Sequence, residues 1–485
     1  MLKNSTPPFR ENTPRAQSTP ACGAHDVLAA MASKIQHFFD AHSSSPSSLT
    51  EEMTFIRLEL PVHGIVPMQW LSQQNQASRI YWCGREQSKT FGIEIAGAGI
   101  ADTLSASDVF SHDDVFREIS TRLANSPENL RYYGGFRFYD GHEVDRSWSK
   151  FGSYRFVVPR WEIQRSGKDF RFSCNFKLES QTKLDVLREE LLSELQTLHF
   201  SPQKMHPVLP RPAQRIDLPD QDGWRNMIKQ ALTALHGGEL DKIVLARKTR
   251  FVFPENLEPL SLLSLLKNST PNLFYFYFQP EPNIAFLGGS PERLYSRENR
   301  MLKSEAIAGT RARGMTPQED HALANELLHC DKDLREHRFV VENIKENLEK
   351  LCHTVDIDDE ITILKLSKIQ HLRCRLQGIL ADDVSDAEIF KILHPTPAVG
   401  GSPTDQAIDA IKKLEPFDRG WYAAPLGWIS QDAAEFVVGI RSGLVDHETL
   451  ALFSGAGIVN GSTPDGEWTE IENKIGNFMK AIMQK

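Results

Sequence analysis

The sequence predicts a mixed array of strands and helices, either a single large mixed fold with an N-terminal piece or three small domains, and three observations carry that expectation. Between about residues 53 and 200, apolar and polar residues alternate with a period of two, the pattern of antiparallel strands with one buried face. Beyond residue 220, segments of helical period with cap signals alternate with short β-branched runs. At 485 residues, 40% hydrophobic and 25% charged, the chain exceeds one ordinary domain and has the composition of a soluble globular protein.

The elements follow in chain order. Residues 1–24 are rich in Ser, Thr and Pro, with Arg10 and Arg15 but few long apolar side chains, and are expected to be a disordered extension. A transit peptide is the sharper reading; Glu11, Asp26 and the sparse basic residues favour the plain extension. Val27, Leu28, Met31, Ile35, Phe38 and Phe39 then fall at helical spacing until the serines around Pro46 interrupt them. Residues 25–219 read as a strand-rich N-terminal scaffold with strands at 55–60, 154–158 and 170–176, closed by a helix over 183–199. Few of its polar residues are expected to converge, and the Pro-spotted stretch 201–219 is the best linker candidate. The chemistry is expected in residues 220–485. These open with a helix over 222–236 that stops at Gly237 and Gly238.

A net charge of −9 argues against nucleic acid or an anionic membrane as partner. The six cysteines form no CxxC pair, so reduced thiols in a cytoplasm are the default and no zinc site is expected. No apolar run approaches the roughly 20 residues that span a bilayer.

Several residues of the second half suit a metal and a small anionic substrate. Lys242 stands at the mouth of a β-branched strand, where partial desolvation lowers an amine toward general-base range. Glu292 sits in a tight turn after the strand 286–290; kept protonated by burial, it can protonate a leaving hydroxyl. Each also has a plain alternative, a solvated edge lysine and an Arg-paired surface glutamate. A long helix over 330–351 carries Glu336, and a C-terminal helix places Glu467, Glu470 and Lys474 on one face. Intrahelical pairing is the dull account of that triplet; one carboxylate from each helix, with waters and a substrate carboxylate, makes an oxygen-rich Mg²⁺ site. Arg441 and Lys474 suit substrate carboxylates. The glycines at 455, 457 and 461 resemble a dinucleotide loop, but their spacing is GxGxxxG and a turn at 464–466 is expected to delay the helix. They suit a backbone that approaches a small anion and donates N–H groups to it.

These segments carry a resemblance. LDKIVLAR at 240–247, GSPERL at 289–294, SEAIAGT at 304–310, QHL at 370–372, HPTPAVGG at 394–401, EPFDRGWY at 415–422, Arg441, SGAGIV at 454–459 and GEWTE at 466–470 resemble the chorismate-utilising enzymes, in order and spacing. Within that superfamily the chain is most similar to isochorismate synthases. The resemblance implies an α+β fold, a large sandwich of antiparallel sheets flanked by helices. It also implies Mg²⁺-dependent addition of water at C2 of chorismate as the C4 hydroxyl leaves. Lys242 then matches the general base and Glu292 the general acid. Glu336 and Glu470 match metal ligands, with Glu467 beside them through water. Thr310, Arg441, Gly455, Gly457 and Lys474 match the substrate contacts. Ammonia-using relatives generally lack the lysine, so water is the implied nucleophile. With the chain ending soon after the metal helix, no glutaminase partner is expected, and a monomer or homodimer is. A salicylate synthase, which goes on to eliminate pyruvate, and an inactive binding subunit are the alternatives. Ala423-Ala424-Pro425 departs from the pattern, standing where many relatives have glycines.

Overall fold

A computed structural model describes residues 22–23, 26–43, 53–85, 92–139, 145–201, 209–366 and 369–483. The expected extension and the serine-rich interruption lie outside these residues, apart from Cys22 and Gly23. Cys22 bridges to Val62 at the edge of the first strand.

Alternating sequences become two antiparallel sheets. The 12-stranded sheet runs in the order Thr54–Val62, Asp169–Leu178, Trp161–Ser166, Glu94–Ala98, Arg79–Cys83, Phe274–Glu281, Ile284–Ser290, Ser442–Asp446, Thr449–Ile458, Lys242–Val252 and Gly401–Ser402, with Gln214–Leu218 also paired to Lys242–Val252. The 10-stranded sheet runs Cys352–Ile357, Ile369–Leu380, Met301–Ala312, Arg293–Glu298, Ala433–Val438, Pro425–Ile429, Tyr132–Phe136, Tyr154–Val158 and Asp102–Ala106, with Thr362–Lys365 paired to Ile369–Leu380. Both sheets therefore cross residue 219: Tyr81 lies opposite Tyr277 in one and Gly134 opposite Gly427 in the other.

The two sheets face each other across an aromatic core. Phe55 meets Tyr132 edge to face, and Trp421 packs on Phe278 and Phe151. Burying such rings stabilises by about 2–3 kcal/mol each before entropy is counted. Outside lie amphipathic helices. Val27–Ser43 buries Val27, Met31, Ile35 and Phe39, one residue per turn of a single stripe. Gln221–His236 begins where the Asp220 carboxylate accepts the Gly223 N–H and ends at Gly237, with Gly238 at φ 76°.

Four expectations need correction. The linker candidate contains the strand Gln214–Leu218, whose exposed residues have little period-two signal because the strand is held by its ladder to Lys248–Val252 rather than by a buried face. Ser454 to Ile458 is not a loop but the end of the strand Thr449–Ile458, its glycines opposite Val244 and Ala246. The C-terminal helix is not delayed: Pro464–Ile482 starts at the proline, which suits the first helical position, and the Thr463 hydroxyl accepts the Gly466 N–H. The first half also gathers buried charge that alternation hid, pairing Arg57 with Glu162, Arg137 with Asp418 and Arg85 with Glu305.

Candidate active site

Lys242 is the first residue of its strand, with Gly401 and Ser402 on one side and Gly457 near its side chain. A Cβ at Gly457 would stand 3.1 Å from Lys242 Cε, so the glycine leaves room for the amine. The strand is pinned from behind. Arg419 donates to the carbonyls of Val244 and Val399 and is clamped by Glu415, which accepts the Ala246 N–H at 2.7 Å. Burial pushes the Lys242 ammonium below its usual range, opposed by the carboxylates of Glu336 and Glu292 and reinforced by Lys474.

Glu292 occupies the turn between the strands Ile284–Ser290 and Arg293–Glu298. Its backbone N–H bonds Ser290 Oγ, its carbonyl accepts the Val438 N–H at 3.1 Å, and Thr396 Oγ1 donates to its carboxyl at 3.4 Å. Burial pushes the carboxyl up to about 7, against the lowering effects of Thr396 and Lys242 and with help from Glu305. The two side chains thus act on one another and are shifted in opposite senses, the carboxyl toward its acid form and the amine toward its base form.

Arg441 takes φ 51°, a left-handed conformation that costs an arginine roughly 1–2 kcal/mol. It lies between the strands Ala433–Val438 and Ser442–Asp446, and its carbonyl accepts the Gly289 N–H. Among the described residues its guanidinium has no hydrogen-bond or ion-pair partner, and burial pushes it down to about 10. A half-buried cation without a counter-ion suits an anionic ligand. Near it, Thr310 Oγ1 meets His371 Nδ1 at 3.0 Å; burial and then Arg441 press His371 down to about 4, keeping it neutral.

The two helices bring their carboxylates to the same region. Glu336 is exposed on Asp331–Glu349 and acts on Lys242. On Pro464–Ile482, Glu467 is raised by burial and by Glu470. Lys474 pairs with Glu470 at 2.6 Å and donates to the Gly455 carbonyl at 2.9 Å, so the intrahelical pairing is present. Antiparallel pairing turns the N–H and C=O groups of Gly455 and Gly457 away from the Lys242 strand, toward this side. Among the described residues, no three His, Cys, Asp or Glu side chains converge closely enough to hold a metal by themselves. Motif membership was the only sequence signal for Thr396, His371, Glu415 and Arg419; Arg85 and Glu305 had none as a pair.

The family model described as chorismate binding enzyme matches residues 41–483. The chain is 32% identical over 454 residues to chloroplastic isochorismate synthase 2 of Arabidopsis thaliana, covering 88% of this chain and 80% of that one. To isochorismate synthase MenF of Bacillus subtilis it is 33% identical, covering 74% and 76%. The solved structure of MenF, the menaquinone-specific isochorismate synthase from Escherichia coli, superposes with a TM-score of 0.78 at 28% identity, covering 93% of this chain and all of that one. Motifs, sheets and matched length converge: the chain belongs to the chorismate binding enzyme family.

Proposed function

We propose that this site converts chorismate to isochorismate, and that the facing pair Lys242 and Glu292 carries the proton transfers. The single observation behind this reading is their opposed displacement, with Glu292 near 7 and Lys242 below its ordinary value. Lys242 takes a proton from the water that attacks C2. Glu292 gives its proton to the C4 hydroxyl, which departs as water while the ring double bonds shift. Water enters and water leaves, so the step is an isomerisation, and a return of one proton from Lys242 to Glu292 resets the pair.

Arg441 meets one substrate carboxylate, with Thr310 beside it, and Lys474 with the backbone N–H of Gly457 meets the other, the Gly455 N–H being turned to the Tyr422 hydroxyl. The donor chemistry fits Mg²⁺: carboxylates on two helices, Glu467 raised by burial and by its neighbour Glu470, and too few ligands for a closed cage, as suits an ion that keeps waters. Glu336 and Glu470 would hold it, with Glu467 acting through water; bound there, the ion neutralises substrate carboxylate charge. Among the described residues no helix is long and apolar enough to cross a membrane. The cysteines are free thiols, which supports a reducing compartment such as the cytoplasm.

The test is incubation of purified protein with chorismate, with and without Mg²⁺, and chromatography of the products. Isochorismate without pyruvate is expected. Salicylate with pyruvate would move the assignment to a salicylate synthase, and no turnover would point to a binding subunit.

A further inference from the structure

The turn that presents Glu292 is held by a residue from the far half of the chain. Arg85, at the end of the segment that follows the strand Arg79–Cys83, donates from Nη1 to the carbonyl of Pro291 at 2.9 Å. Its Nη2 bonds both carboxylate oxygens of Glu305 at 2.5 Å. Both side chains are buried, at 1% and 2% exposure. The guanidinium also lies 4.9 Å over the Phe274 ring, which carries Arg293 at 5.1 Å; Arg293 in turn pairs with Glu435. The turn Pro291-Glu292-Arg293 is therefore gripped on both sides, and its proton donor has the Glu305 carboxylate, paired with Arg85, beside it.

A buried ion pair is weak evidence for stability, because desolvation offsets its attraction. Here it sits against the acid, touches neither Lys242 nor the metal candidates, and is assembled from residues 220 apart in sequence. We propose that Arg85 and Glu305 form a positioning pair for the reaction: Arg85 fixes the backbone that aims Glu292, and Glu305 anchors Arg85 and sets its carboxylate beside the acid. The inference rests on Glu292 being the acid.

The charges around both groups are few. Glu292 faces Lys242, Thr396 and Glu305. Glu305 faces Arg85 and, from the strand Ile369–Leu380, Arg375 opposite it and Arg373, on which it acts. Those two cations remain beside Glu305 when Arg85 is removed.

The experiment titrates Glu292 directly, following by infrared difference spectroscopy the protonated-carboxyl band that Glu292→Gln lacks, and measures kcat and KM in parallel. Glu305→Gln removes a like charge and leaves Arg85 unbalanced, so the band should titrate lower by roughly one pH unit. Arg85→Gln removes the cation and leaves Glu305, so the band should titrate higher by a similar amount. A merely structural role does not give shifts of opposite sign. The double variant Arg85→Gln/Glu305→Gln leaves no unpaired buried charge, and should keep the midpoint within half a unit while kcat falls about tenfold at unchanged KM through loss of the Pro291 anchor. Shifts of the same sign, or no shift, overturn the proposal. If either single variant fails to fold, full kcat in the double variant overturns it instead. Full activity in Glu292→Gln would overturn the assignment of the acid itself, a distinct outcome.

Discussion

Replacing Arg441 with glycine should make the protein more stable and a much poorer enzyme. Arginine at φ 51° costs roughly 1–2 kcal/mol, which glycine recovers less about 0.5–1 kcal/mol of added unfolded-chain entropy. Burial pushes the guanidinium down to about 10 in the fold, which at about 1.4 kcal/mol per unit is on the order of 2 kcal/mol after allowance for the solvent it still meets. The sign is fixed by linkage: a cation whose folded value lies below its unfolded value destabilises the fold at every pH below about 10. Removing it at pH 7.5 therefore stabilises. Loss of the packed side-chain stem returns about 1 kcal/mol, leaving a net gain of about 1–2 kcal/mol. With an unfolding entropy of about 2.1 cal/mol/K per residue, that is a rise of about 1–2 °C for this chain. Substrate binding moves the other way. A carboxylate left without its partner in a dry site loses about 3 kcal/mol, or about 100-fold in kcat/KM. Differential scanning calorimetry with and without chorismate reads both effects: the ligand-induced rise seen in the parent should nearly vanish in the variant. A variant that melts several degrees lower, or keeps kcat/KM within about threefold, refutes the account of Arg441 as a strained cation waiting for an anion.

Turnover needs a proton on Glu292 and none on Lys242; the first is lost as pH rises through about 7 and the second is gained as pH rises. The kcat/KM profile should be bell-shaped with two apparent pKa values belonging to the pair, one near 7, and Glu292→Gln should lack it. Lys242→Ala and Glu292→Gln should each lower kcat by about 10²–10⁴ with unchanged circular dichroism; near-parental rates would remove these roles. Thr396→Val deletes a 3.4 Å hydrogen bond that holds Glu292 down, so the group should titrate up to about half a unit higher; a downward movement would contradict the contact. Glu470→Ala should raise the Mg²⁺ concentration for half-maximal activity at least tenfold, and an unchanged magnesium titration would place the ion elsewhere.

Much of the site was legible because its chemistry lies at element ends that sequence signals mark. Lys242 precedes a β-branched run, Glu292 follows Gly-Gly-Ser-Pro, and Glu467, Glu470 and Lys474 obey helical spacing. The helix Val27–Ser43 and the strand Thr54–Val62 were equally plain, since each buries chiefly one face, and Asp169–Leu178 keeps an alternating sequence although its polar Ser173 and Asn175 are buried too. Fully buried strands were not: Arg79–Cys83 and Tyr132–Phe136 lie inside the sandwich and show no alternation. The glycine-rich end of Thr449–Ile458 read as a loop because glycine has low strand propensity, and only its ladder to the Lys242 strand overrides that. Ion pairs such as Arg85 with Glu305 join residues too far apart for local pattern to connect.

Both sheets weave the two halves of the chain together, and this bears on how the enzyme can be taken apart. Separated at the proline-rich stretch, the first half would present Arg79–Cys83 and Tyr132–Phe136 as open ladders, and the second half Phe274–Glu281 and Pro425–Ile429. Each fragment alone would be a template for aggregation. Supplied together, they carry complementary edges, so co-expressed halves should assemble into a split enzyme whose activity reports their meeting.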